Sequence, residues 1–303
     1  MSHTPHRWLA GAVAVSLAGT LAACGGGSDA DSTNETAIDS PYSAGDLTLS
    51  EKPENIVSLS GSTTEILFAI GAGDQVTAVD VQSTYPPEAP MTDLDAFVPS
   101  AEAITEYTPD LVVLSHDQDD IIAQLETLEV PVYYAPAAVS LDDTYRQISD
   151  LGALTGNDEA ATALNDDIAA GIEDALATIP ENDEPLSVYY ELDGELYTLT
   201  SDTYAGSLLE LAGLENIADE AADAAETGGY PQLSAEFVLD SDPDVIFVSG
   251  EEAVGDVMSR DGWETVSAVA DGNVVALDPD VASRWGPRVV ELMEAVATAV
   301  NAA

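Results

Sequence analysis

The chain has little of four residue types on which many functional sites depend. Among its 303 residues there are one cysteine, three histidines and six lysines or arginines. A single cysteine excludes a disulfide within the chain. Only His116 lies beyond the signal-like N-terminal segment of residues 1–23, so a zinc site built from several cysteines or histidines is not expected. The 57 aspartates and glutamates give a net charge of −51, which repels a polyanionic backbone, so nucleic acid is not an expected partner. Adaptation to a salty medium also fits this acidity.

The common enzyme and cofactor motifs are absent as well. The sequence contains no P-loop, no G-x-G-x-x-G and no G-x-S-x-G elbow. The acidic run Asp117–Asp120 lacks the spacing of a calcium-binding loop. We therefore expect no catalytic residue, no resident cofactor and no directly bound metal ion.

The N-terminus has the pattern of a secretion signal. Basic residues precede an apolar stretch from Trp8 to Cys24, which is shorter than the roughly 20 residues of a spanning helix. The stretch ends in "LAAC", which resembles a bacterial lipobox. The sequence thus predicts a signal peptide over residues 1–23, lipidation of Cys24, and a protein anchored by lipid outside the cytoplasm.

A polar segment and then an alternating pattern follow. Residues 24–50 are rich in glycine, serine and acidic residues, which predicts a flexible acidic tether. From Ile56 onward, short apolar runs alternate with amphipathic segments, as in βαβ units with parallel sheets. The first runs, taken as strands, are Ile56–Ser60, Val76–Asp80, Asp110–Ser115 and Val130–Ala135.

One long helix interrupts this alternation. Apolar residues at four-residue spacing run through residues 158–179, which predicts a helix of roughly 33 Å. The α/β pattern then resumes to the C-terminus. We expect two Rossmann-like α/β lobes with mainly parallel sheets, over residues 51–155 and 181–303, joined by a rigid bridging helix over residues 156–180.

A phrase repeated in both predicted lobes draws attention to two glutamates. "SAEAITEYTPD" begins at Ser100 and "SAEFVLDSDPD" begins at Ser234, so each serine is a candidate helix N-cap. Glu102 and Glu236 are then the second residues of their helices, where an acid also favours the helix dipole. Glu65 differs from these two glutamates because it is the third residue after its candidate N-cap, Ser62. A glutamate at that position is expected to form a capping box.

These features together resemble a known family. "LAAC", "IVSLSGSTTEILFAIGAGDQVTAVD", "STYPPEA", the two repeated phrases and "SRWGPR" are similar to the ABC-transporter substrate-binding proteins of the iron-siderophore, haem and cobalamin type. The resemblance covers the chain from Lys52 onward. It implies two lobes bridged by a rigid helix, a permease and its ATPase as partners, and docking to permease arginines through Glu102 and Glu236. A monomer is expected.

Ligand-facing residues are expected after the strands, because ligands of such sheets bind outside the carboxyl ends of the strands. The family commonly places a ligand-contacting tyrosine at the position of Tyr85, and His116 directly follows a strand. A guanidinium beside an indole, as in Arg284 and Trp285, suits a ligand with anionic oxygens and a flat conjugated face. Arg288 is expected to be structural. Further candidates are Phe97, Glu191, Tyr204 and Tyr230.

Several functions remain open at this point. The resemblance implies capture of a ferric siderophore or a corrinoid as cargo. Haem is an alternative in which Tyr85 and His116 could ligate the iron. A secreted hydrolase using Glu102 and Glu236 requires the two carboxylates to lie about 5–10 Å apart. A surface adhesion module would bind no small ligand at all.

Overall fold

The described residues begin with a short hairpin that the sequence did not predict. The structure, a computed structural model, describes residues 42–180 and 184–303. Strands β1 (Tyr42–Ala44) and β2 (Leu47–Leu49) pair antiparallel around a turn that contains Gly45. Ala44 and Leu49 are buried in the main core. The predicted tether of residues 24–50 therefore does not extend over these two strands, because their few apolar side chains have a core to join.

The first parallel sheet forms from the apolar runs as predicted. Its strand order is β4-β3-β5-β6, with all neighbouring pairs parallel. The strands are β3 (Ile56–Leu59), β4 (Val76–Val79), β5 (Leu111–Leu114) and β6 (Val132–Tyr134). The helices of this lobe are α1 (Gly61–Ala69), α2 (Ala101–Thr105), α3 (Ile121–Thr127) and α4 (Leu141–Thr155).

A 19-residue helix connects the two sheets. Helix α5 (Asp158–Leu176) begins two residues after Gly156, which ends α4 with a positive φ. It packs against α4 and against the last helix of the chain. Ile168 and Ile172 are buried on its inner face, in agreement with the four-residue spacing of the sequence.

The second parallel sheet has the strand order β10-β9-β7-β8. Its strands are β7 (Ser187–Glu191), β8 (Glu215–Asn216), β9 (Val245–Ser249) and β10 (Val274–Leu277). The helices after α5 are α6 (Tyr204–Leu211), α7 (Ala235–Ser241), α8 (Glu251–Met258), α9 (Ser267–Asp271), α10 (Pro279–Ala282) and α11 (Val289–Ala302). The predicted α/β fold with two parallel sheets and a long helix between them is confirmed.

The repeated phrases form equivalent structures. Ser100 caps α2 by accepting a hydrogen bond from the Ala103 N–H, and Ser234 caps α7 by accepting one from the Phe237 N–H. The helices α1 and α6 correspond too, since each is followed by a glycine with φ of +79°. Glycine adopts this left-handed conformation without steric cost, so it is suited to ending a helix there.

The core is continuous across both sheets. Alternate residues of each strand face opposite sides, so Ile56 and Leu111 of the first sheet join the same cluster as Val188 and Phe247 of the second. Helices α5 and α11 contribute to this shared cluster. The outer faces, which include Val57 and Tyr189, pack into two smaller clusters.

Within the described ranges, no helix is both long and apolar enough to cross a membrane.

An ion network ties the first lobe to the C-terminal segment. Glu65 of α1 is 2% exposed and accepts two hydrogen bonds from Arg288, at 2.9 Å from Nε and 2.6 Å from Nη2. Arg284 Nη1 donates to the same carboxylate at 3.2 Å. The predicted capping box of Ser62 and Glu65 is therefore wrong. Ser60 occupies the N-cap position without a side-chain bond, and Glu65 compensates two guanidinium groups.

This network predicts a large loss of stability on neutralising Glu65. We expect Glu65→Gln to lower the free energy of unfolding by about 3–5 kcal/mol, because two largely buried guanidinium groups lose their counter-charge. Equilibrium unfolding in urea measures the change. Glu102→Gln is the matched control, and its exposed carboxylate is expected to contribute less than about 0.5 kcal/mol. Equal effects of the two substitutions would contradict a stabilising network.

Candidate ligand-binding cleft

The carboxyl ends of both sheets border two adjoining cavities. The first, here called the polar cavity, has a volume of about 230 Å³ and the second, the aromatic cavity, about 360 Å³. Asp280, Ser283 and Trp285 line both of them, so the two form one cleft. This position, outside the carboxyl ends of parallel strands, is where ligands of such sheets bind.

The polar cavity is built mainly from the first sheet. Ser60 directly follows β3, Asp80 follows β4, and Ser115 follows β5. His116 lines the cavity too, and its Nδ1 lies 3.2 Å from the Ser115 hydroxyl. The Phe97 ring stands 5.5 Å from the His116 ring and is 56% exposed. The cavity therefore offers hydroxyl, carboxylate and imidazole groups beside one exposed aromatic face.

The aromatic cavity is built from the second sheet and the segment after β6. Its lining includes Tyr190, Leu199, Tyr204 and Tyr230. Burial raises the pKa of Tyr204 to about 12, while a hydrogen bond from the Thr144 hydroxyl opposes the rise. That phenol is consequently neutral at physiological pH. A largely apolar surface with a few hydroxyl groups suits a flat or conjugated ligand.

Trp285 connects the two cavities and is held in place by the first lobe. Its indole Nε1 donates to Gln147 Oε1 at 2.9 Å, and its backbone N–H donates to the Ser62 hydroxyl at 3.3 Å. Gln147 is itself buried in α4, where its Nε2 donates to the Pro136 carbonyl at 2.7 Å. Trp285 is thus held by Gln147 and Ser62 of the first lobe, and it still borders both cavities.

Arg284 lines the polar cavity, but its guanidinium already donates hydrogen bonds to groups of the protein. Besides Glu65, it donates to the Gln82 carbonyl at 2.8 Å, to Thr84 Oγ1 at 3.3 Å and to Asp280 at 3.2 Å. The group also packs on the backbone of Gly61, where a Cβ would lie 2.4 Å from Nη1. A direct role in binding anionic oxygens stays a prediction, and this geometry does not favour it.

Tyr85 does not lie with the other predicted ligand residues. It borders a separate cavity of about 370 Å³, together with Glu65, Phe68 and Arg288. The Arg288 guanidinium carbon stands 4.4 Å from the centre of the Tyr85 ring, a cation–π contact. Arg288 is thus bound on two sides, as expected for a structural residue. Tyr85 and His116 line different cavities, so the structure gives no support to the two residues ligating one haem iron together.

The remaining sequence candidates divide between structure and surface. Glu191 is 3% exposed and forms a bidentate pair with Arg260, with both distances 2.7 Å, so it is not a cleft residue. Glu102 and Glu236 are exposed and line neither cavity of the cleft. Each lies in the first turn of a helix that leads into a strand of its sheet. Such a helix starts at the carboxyl edge of the sheet, so both glutamates belong to the edges that border the cleft. Cys24 lies outside the described residues.

Sequence reasoning missed one of the two carboxylates that line the polar cavity. Asp80 is completely buried, and burial raises the pKa of its carboxyl, while Ser83 and nearby backbone N–H groups oppose the rise. Its signal was present, since it is the acid that ends the apolar run "VTAVD". Across the described ranges, no group of three or more histidine, cysteine, aspartate or glutamate side chains could hold a metal ion.

Comparison with known proteins decides the family. The profile of the periplasmic binding protein family matches residues 56–281, which include strands of both sheets and the bridging helix. The chain belongs to this family. The resemblance inferred from the sequence motifs is therefore confirmed.

Individual relatives agree over most of their length. An uncharacterised ABC transporter substrate-binding lipoprotein of Bacillus subtilis is 31% identical, over 84% of this chain and 82% of its own. A cobalamin-binding protein of Halobacterium salinarum is 32% identical, over 84% of this chain and 71% of its own. The crystal structure of a periplasmic vitamin B12-binding protein of Vibrio cholerae matches with a TM-score of 0.69 and 29% identity, covering 83% and 98% of the two chains.

The different environments of two tryptophans allow a direct test of the cleft. Trp285 borders both cavities, whereas Trp263 is 1% exposed in an outer core cluster and lies against Arg260. We expect a bound conjugated ligand to quench the fluorescence of the Trp263→Phe variant, which retains Trp285. Quenching by the same ligand should be much weaker in Trp285→Phe. Equal quenching in both variants would place the ligand outside this cleft.

Proposed function

We propose that this chain is the extracytoplasmic receptor of an ABC importer that captures a corrinoid of the cobalamin type. The observation that carries the proposal is the continuous cleft between the two sheets. It pairs an aromatic wall with a hydrogen-bonding wall, as a conjugated ring bearing polar side groups requires. Similarity to a cobalamin-binding protein over most of the chain supports this ligand class over a ferric siderophore. The corrinoid is cargo and not a resident cofactor.

The other parts of the proposal concern how the receptor is held and unloaded. Cys24 would carry the lipid anchor, and the part of the predicted tether (residues 24–50) that precedes the hairpin lies outside the described residues. The protein would act as a monomer that presents Glu102 and Glu236 to the permease, whose ATPase drives release. Both glutamates are exposed at capped helix starts, which supports docking. Their absence from the cleft gives no support to a hydrolase built on them.

A thermal-shift screen tests the ligand class. Cyanocobalamin at about 100 times its dissociation constant is expected to stabilise the protein by about 2.7 kcal/mol, which raises the melting temperature by about 5 °C or more. Ferric siderophores and hemin serve as comparison ligands in the same assay. A larger shift with hemin, together with a Soret band that Tyr85→Phe removes, would favour the haem alternative. No shift with any chelate would favour an adhesion module.

Docking is tested by separating uptake from binding. The double variant Glu102→Ala with Glu236→Ala is expected to reduce corrinoid uptake at least about tenfold in cells that depend on this protein, because each lobe loses an ion-pair partner for the permease. Its affinity for cyanocobalamin should not change. Glu106→Ala, at the end of α2, is the matched control and should preserve uptake. Normal uptake with the double variant would contradict docking through these residues.

A further inference from the structure

The polar cavity contains a carboxylate that the protein satisfies on one side only. Asp80 follows β4 and is 0% exposed. Its Oδ1 accepts a hydrogen bond from the Ser83 hydroxyl at 2.6 Å. Its Oδ2 is buried and has no hydrogen-bond partner within 3.5 Å among the described residues, although the backbone N–H groups of Ser83 and Ala96 lie near the carboxyl and oppose the rise of its pKa. Buried polar atoms are nearly always paired, because leaving one unpaired costs about 1–3 kcal/mol. An unpaired oxygen on a cavity-lining residue therefore points to a partner outside the chain.

The neighbouring hydroxyl groups cannot supply that partner. Ser83 uses its single hydroxyl proton on Asp80 Oδ1, and its oxygen lies 3.0 Å from Thr64 Oγ1, which can donate to it. Thr64 in turn contacts Ser58 at 2.8 Å. Each hydroxyl has one proton to donate, so a chain that runs from Thr64 through Ser83 ends at Oδ1. These hydroxyls fix the orientation of the carboxylate and leave Oδ2 to another donor.

Within the part of the chain that the structure describes, no arginine or lysine of the cleft is available to attract an anionic ligand. Four arginines lie in the described part of the chain, and each forms a salt bridge with an acid. Arg284 is the one that lines the cleft, and four protein groups already accept its hydrogen bonds. Asp80 and Asp280 both border the polar cavity. These two carboxylates therefore disfavour chelates that are rich in carboxylates or phenolates, and they favour ligands with N–H and O–H donors.

From these observations we infer that Asp80 is a specificity-determining residue whose Oδ2 accepts a hydrogen bond from an amide or hydroxyl donor of the ligand. The inferred ligand class is an uncharged or cationic molecule that carries such donors, and polyanionic chelates are excluded. This inference rests on the proposed receptor function and adds the charge and the donor chemistry of the ligand. Corrinoids whose side chains are amides meet both requirements.

The charge of the ligand can be varied while its ring is kept. Isothermal titration at one ionic strength would compare dicyanocobinamide, whose ring carries amides, with dicyanocobyrinic acid, whose ring carries carboxylates. Ferric citrate serves as an unrelated polyanion. The unmodified protein is expected to bind the amide form at least about 100-fold more tightly than either polyanion. Tighter binding of a polyanion would overturn the inference while leaving the receptor function intact, and no binding of any probe, cyanocobalamin included, would overturn both.

The role of Asp80 itself is tested by an isosteric change. Asp80→Asn keeps an acceptor for Ser83 but places a donor or a neutral oxygen at the Oδ2 position. It is expected to weaken binding of dicyanocobinamide about 10- to 100-fold, as the loss of a hydrogen bond to a charged acceptor implies. Asp117→Asn removes the same charge from an exposed acid that lines neither cavity, and should bind within about threefold of the unmodified protein.

Two outcomes of this comparison would count against Asp80. If Asp80→Asn keeps a normal melting temperature and binds within threefold of the unmodified protein, the residue does not accept a hydrogen bond from the ligand. If Asp117→Asn weakens binding as much as Asp80→Asn, the effect is one of overall charge and not of Oδ2. The comparison of amide and carboxylate ligands uses the unmodified protein, so it decides the ligand class even if Asp80→Asn fails to fold.

Discussion

The geometry of the cleft depends on one buried carboxylate. Glu65, on helix α1, binds two arginines from the segment between the last strand and the last helix. Those arginines flank Trp285, which borders both cavities. The ion network thus joins the beginning and the end of the fold at the point where the two sheets face each other. Because the charges are largely buried, separating them would leave an uncompensated charge in the core, which disfavours other arrangements of these segments.

The same network decides the charge of the site. A chain with so few cations uses Arg284 and Arg288 to compensate Glu65, so neither remains available to neutralise a ligand. What the polar cavity offers instead is the Asp80 carboxylate, oriented by hydroxyl groups, and a set of serine side chains. The cleft therefore combines an uncharged aromatic wall with a polar wall that favours hydrogen-bond donors.

The two glutamates proposed for docking lie apart from the cleft, although both belong to the carboxyl edges of the sheets. Glu102 and Glu236 begin short, serine-capped helices on the surface, and neither borders the cleft. Each lobe contributes one of them because each lobe contains the same βαβ arrangement. A permease that recognises both glutamates would read the relative position of the lobes without touching the ligand.

Local patterns in the sequence determined the elements of this fold. Apolar runs gave the parallel strands, four-residue spacing gave α5, and the repeated Ser-Ala-Glu phrases gave capped helices in both lobes. These features depend on neighbours within a few residues, so they can be read along the chain. The partners of Glu65, the position of Tyr85 beside Arg288 and the unpaired oxygen of Asp80 could not be read in this way. Only the tertiary structure decided them, because Glu65 and Arg288 are 223 residues apart and burial makes each charge depend on the groups that happen to surround it.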